Sequence, residues 1–190
     1  GKTDPQIVRD LLSLAGHSGA ENATVIQAVC RRYVEHLRTE LERPTQTTRL
    51  MVGIADLLAA LEPHEAQGRA LVGLLTGNVA PGAALKLRSG GLDPARFRVG
   101  AYGSDSARRA ELPAVAAGRA VALMGATFTG SDVIIVGDTP DDVACGSPIG
   151  ARSVAVATGS YDVAALRATG ATYVFETLVD TTAVLDAIFA

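Results

Sequence analysis

Apolar positions over residues 1–48 recur at helical spacing. Thr3 or Asp4 can cap a first helix with Pro5 in its opening turn, and Ile7, Val8, Leu11, Leu12 and Leu14 form its apolar face. Gly16-His17-Ser18-Gly19 breaks the pattern, which resumes from Ala23 to Leu41 through Val25, Ile26, Val29, Val34 and Leu37. The polar run Arg43-Pro44-Thr45-Gln46-Thr47-Thr48 reads as a boundary. Beyond it, short apolar runs alternate with helical patterns. Strands are predicted at Ala70–Leu75, Phe97–Tyr102, Val133–Val136, Ser153–Ala157 and Tyr173–Phe175. Helices are predicted at Ile54–Leu61, Pro81–Arg88, Arg109–Met124, a short one after Asp141, Val163–Ala168 and Thr181–Phe189. Such alternation implies an α/β fold with a mostly parallel, doubly wound sheet. The domain expectation is a helical segment over residues 1–48 and an α/β core over 49–190.

Val133 to Val136 are four consecutive β-branched residues, the pattern of a strand buried on both faces. The strand stops at Gly137, and Asp138, Asp141 and Asp142 follow within five residues. Carboxylates crowded at the end of a buried parallel strand repel one another unless a cation joins them. An acidic helix N-terminus accounts for the same residues equally well at this point. Composition narrows the partners. A hydrophobic fraction of 48% supports a real core, while a net charge of −3 with scattered arginines argues against nucleic acid and anionic membranes. Cys30 and Cys145 have neither disulfide-framework nor zinc spacing. No apolar run approaches membrane-spanning length, and a cytoplasmic location is expected. His17, His36 and His64 have no partner pattern.

Leu74-Leu75-Thr76-Gly77-Asn78, followed by Ile134-Ile135-Val136-Gly137-Asp138-Thr139-Pro140-Asp141-Asp142, resembles the haloacid dehalogenase (HAD) superfamily, in particular its phosphoglycolate-phosphatase-like members. The opening Gly1 to Val8 and the stretch Val154 to Gly159 are similar to the same subgroup. The resemblance implies a Rossmann-like core with a small all-helical cap, and a Mg2+-dependent phosphatase for a small phosphomonoester. Its site residues would be Thr76, Gly77 and Asn78 at the phosphate, Asp138 and Asp142 at the metal, and Arg109 as the neutralising cation. The residues suit that chemistry. Thr76 ends a strand, so its hydroxyl and the following N–H groups can hold phosphate oxygens. Asp138 can ligate Mg2+, and Asp142, one helical turn on, can ligate it or hold one of its waters. Asp141 points elsewhere and reads as a cap. The family normally uses Lys as its cation, but Lys86 sits roughly 12 Å down a helix running away from the site edge. Arg109 or Arg108 opens a helix at the correct edge.

The family's DxD nucleophile is absent from these residues. The resemblance implies that it lies ahead of Gly1, on a strand between those ending at Thr76 and Asp138. Those two strands should then stand about 9.6 Å apart instead of pairing. Three other readings compete: a metal-free haloacid dehalogenase, a P-loop nucleotide-binding domain with Gly1-Lys2-Thr3 as its loop's tail, and a non-catalytic phosphate- or nucleotide-binding module.

Overall fold

The computed structural model describes residues 1–190. Thr3 caps helix α1 (Asp4–Leu14), and the Asn22 side chain accepts from Thr24 and Val25 N–H to open α2 (Ala23–Leu41). Then follow α3 (Ile54–Ala66), β1 (Gly73–Thr76), α4 (Ala80–Ser89), β2 (Val99–Tyr102) and α5 (Leu112–Met124). The chain ends in β3 (Ile134–Gly137), α6 (Pro140–Cys145), β4 (Arg152–Val156), α7 (Val163–Ala168), β5 (Tyr173–Phe175) and α8 (Thr181–Phe189).

Most predicted elements are present, and the departures have local causes. The helix expected at 109–124 is divided, because Pro113 has no N–H to donate back to the carbonyl of Arg109. Residues Arg109–Glu111 form a separate 3-10 turn, and α5 starts afresh at Leu112 with the proline in its first turn. Helix α3 runs on through Pro63, an exposed position, to Ala66.

All strand pairings are parallel, with Thr76 opposite Tyr102 and Gly137 opposite Ala155. Hydrogen bonding divides the strands into two sheets, β1-β2 and β3-β4-β5. As the sequence implied, β1 and β3 do not pair. Each is left with one unpartnered edge, and this corrects the expectation for β3. Ile135 is buried, but Val136 is 42% exposed because β3 is the edge of its own sheet and lacks cover there.

The main core joins Leu57 and Leu61 of α3 to Val154 and Val156 of β4, Leu178 and Val184, with Val72 and Ile134 against its margin. Residues 1–41 pack through a smaller cluster in which Ile26 and Cys30 meet Val79, the residue that opens α4. The helical segment therefore rests on the β1 side of the molecule.

Candidate active site at the C-terminal strand ends

Thr76 closes β1, and its hydroxyl accepts from the Asn78 N–H at 3.1 Å. Gly77 is buried, and a Cβ there would lie 2.6 Å from the Lys2 carbonyl oxygen and 3.2 Å from Arg109 Nη1. Glycine thus lets residues 2–3 and Arg109 close on the strand end. Asn78, expected at the phosphate, has its side chain engaged at both ends. Nδ2 donates to Asp4 Oδ1 at 3.1 Å, and Oδ1 accepts from Lys86 Nζ at 3.2 Å. At this tip the Thr76 hydroxyl and the backbone are what remains for a ligand.

Lys86 reaches further toward the edge than helix geometry alone indicated, since its four methylenes lead back along α4. It stops at Asn78, with the ammonium 5.9 Å from the Tyr33 ring centroid. Arg108 projects into solvent and pairs with Glu111. Arg109 is the cation at the strand ends. Its Nη2 pairs with Asp142 Oδ1, its Nε is buried without a partner, and its side chain is 17% exposed.

At the tip of β3 the two key carboxylates differ. Asp142, expected as a metal ligand, is buried, and four protein donors occupy its oxygens. Oδ1 takes Arg109, while Oδ2 accepts from Asp138 N at 3.1 Å, Thr139 N at 3.0 Å and Thr139 Oγ1 at 2.8 Å. It completes a capping box for α6. Gly137 makes this possible, since a Cβ there would collide with the Asp142 side chain. Asp138 is half-buried and its carboxylate has no protein hydrogen bond or ion pair; it lies directly against Gly159, where a Cβ would displace it. No cluster of three or more His, Cys, Asp or Glu side chains is placed to hold a metal. Asp141 is exposed.

Neither thiol is set up as a nucleophile. Burial pushes Cys145 up despite the nearby Arg109 guanidinium, and its Sγ donates to the Asp142 carbonyl at 3.2 Å. Burial, then the Asp4 carboxylate, push Cys30 up. The structure therefore brings Thr76, Gly77, Arg109, Asp138 and Asp142 to one edge. Sequence reasoning placed Lys2, Thr3 and Asp4 at a hinge near the substrate, with capping as the main role of the last two, and weighed Lys86 as the cation. What it missed was the bonds that tie Thr3, Asp4 and Lys86 to the loops around the site.

Residues 110–181 match the HAD-hydrolase-like family. No curated protein is a match. Among solved structures, a hydrolase from Pseudomonas syringae is 21% identical, with 88% of this chain and 73% of that one covered at a TM-score of 0.62. A Bacteroides vulgatus protein provisionally named a β-phosphoglucomutase is 18% identical, covering 100% of this chain and 71% of that one at 0.65. A predicted phosphoglycolate phosphatase from Haemophilus somnus 129Pt is 16% identical, covering 94% and 73% at 0.62. At these identities the likeness is one of fold.

Proposed function

We propose that this chain is a HAD-like hydrolase, a reading supported by the match over residues 110–181 and by the fold of its structural neighbours, and within it a Mg2+-dependent phosphatase acting on a small phosphomonoester. The observation that carries the reading is an Asp138 carboxylate with no protein partner and an Arg109 whose Nε is buried without one, at the same edge as the Thr76 hydroxyl. An unpaired buried polar atom such as Arg109 Nε is costly and suits a place where a ligand completes the bonding, while the half-exposed Asp138 carboxylate is open to a ligand.

Thr76 Oγ1 and the N–H groups of the turn would hold phosphate oxygens, and Arg109 would offset their charge. Mg2+ commonly takes one or two protein carboxylates and keeps several waters, so Asp138 alone fits as its ligand from these residues. Bound there, the ion would supply charge neutralisation to the phosphoryl oxygens. Asp142, already saturated, holds Arg109 in place and fixes the 138–139 backbone. On this reading Asp142 serves the cation rather than the metal.

The reaction also needs a nucleophile, expected to be an aspartate that forms an aspartyl-phosphate. A strand hydrogen-bonded to the unpartnered edges of both β1 and β3 would join the two sheets and end beside Thr76 and Asp138. The similarity to the phosphatase and mutase structures named above favours phosphoryl over haloacid chemistry. The substrate expected is therefore a small phosphorylated metabolite.

The test uses the polypeptide extended ahead of Gly1, assayed for phosphate release from a panel of small phosphomonoesters and for halide release from 2-haloacids. Phosphate release abolished by EDTA and by Asp138→Asn is the expected result. Phosphate release indifferent to both, or halide release alone, would overturn the proposal.

A further inference from the structure

Thr3 is fully buried, and its hydroxyl does two things. It accepts from the Gln6 N–H at 3.3 Å, which is ordinary helix capping. It also donates to the carbonyl of Ala107 at 2.7 Å, two residues before Arg109, and capping does not require this. The next residue turns the other way. Asp4 N–H donates to the Gly77 carbonyl at 2.7 Å, and its carboxylate accepts from Val79 N–H at 2.8 Å and from Asn78 Nδ2 at 3.1 Å. Lys86 fixes the far end of the Asn78 amide. Two consecutive residues therefore hold the two loops that carry Thr76 and Arg109, one loop each.

We propose that Thr3 and Asp4 form a clamp that sets the separation of Thr76 and Arg109, which makes both positioning residues for phosphate recognition. Because the clamp is the start of α1, the helical segment cannot leave the core without releasing it. Docking of residues 4–41 and occupation of the phosphate site should then favour each other. The clamp rests on the reading of Thr76 and Arg109 as phosphate ligands, and the experiment separates the two.

Orthophosphate is titrated into the 190-residue chain while the amide NMR signals of Gly77, Asn78 and Arg109 are followed. Loss of one buried, geometry-setting hydrogen bond in Thr3→Val should weaken binding about tenfold. Thr3→Ser, which keeps the hydroxyl, should stay within about twofold. Asp4→Asn, which keeps one acceptor of two, should fall between them and carries the test if Thr3→Val does not fold. Leu61→Ala, a truncation in the main core, should lower Tm while leaving phosphate affinity unchanged, which separates loss of the clamp from mere destabilisation. Unchanged affinity in both Thr3→Val and Asp4→Asn, with binding lost in Arg109→Ala, overturns the clamp alone. Binding that survives Arg109→Ala overturns the site reading, and the clamp with it.

Discussion

The loops that end β1 and β3 are alike in outline. Each contains a glycine that any side chain would force open, each leads into a helix, and each carries polar side chains at the same edge. They differ in how those side chains are satisfied. After β1, Asn78 is held by Asp4 and Lys86, and Thr76 is folded onto its own turn. After β3, Asp142 is saturated but Asp138 is left free, with Arg109 reaching across from the loop after β2. The first loop is bonded around one hydroxyl, whereas the second leaves one carboxylate without a protein partner. On the proposed reading, the saturated Asp142 shapes the site and the free Asp138 meets the ligand.

Removing Arg109 should break that contrast most severely. Arg109→Ala leaves Asp142 buried without its cation, and a loss of about 3 kcal/mol is expected, seen as a Tm drop of roughly 6–12 °C by calorimetry. Asp142→Asn removes the charge pair but keeps an acceptor for the cap. It should cost about 2 kcal/mol, again as a lower Tm, and weaken phosphate binding through a loosened Arg109.

A smaller effect sits at the tip of β2. The Arg119 guanidinium, and then the Tyr102 N–H, hold the Asp105 carboxyl below its ordinary value of 3.8. A lowered folded-state value means the stabilisation is present above that ordinary value and is lost as pH falls through the folded one. Arg119 is nearly half exposed, so solvent screening keeps the contribution under about 1 kcal/mol. Asp105→Asn should therefore cost up to about 1 kcal/mol at neutral pH, and its difference from the unsubstituted chain should fade below about pH 4, which flattens the acid limb of a stability-against-pH curve. The smallest expected change is the sharpest for the comparison. Asp138→Asn should leave Tm within about 1 °C, since no protein bond is lost, yet abolish any Mg2+-induced shift of the Gly159 amide signal. A destabilised Asp138→Asn with intact Mg2+ response would show that the two aspartates had been assigned the wrong way round.

Much of this was legible locally. The 3.6-residue period located α2 with its observed ends, and β-branched runs bounded by glycine located β3 and β4, because apolar spacing depends only on neighbours in the chain. The same patterning placed Thr76 and Asp138 at strand ends, and hence at one edge of parallel strands. Even the split of β1 from β3 was implied by a missing motif.

What the sequence could not determine was which partner each polar side chain would take. Asp142 looked as fit for a metal as Asp138, until Arg109, 33 residues earlier, was found on its Oδ1. Lys86 was set aside on helix rise alone, although its side chain returns to Asn78. Thr3 read as a cap, and its second bond to Ala107, 104 residues away, exists only once the loops have closed. Val136 looked like core and lies on an open edge. Periodicity and strand-end placement are written in residues a few positions apart, so the sequence by itself determined the elements and the site's edge. Hydrogen-bond and charge partners are chosen across long separations, so only the tertiary structure decided which of the two aspartates took protein partners and which did not.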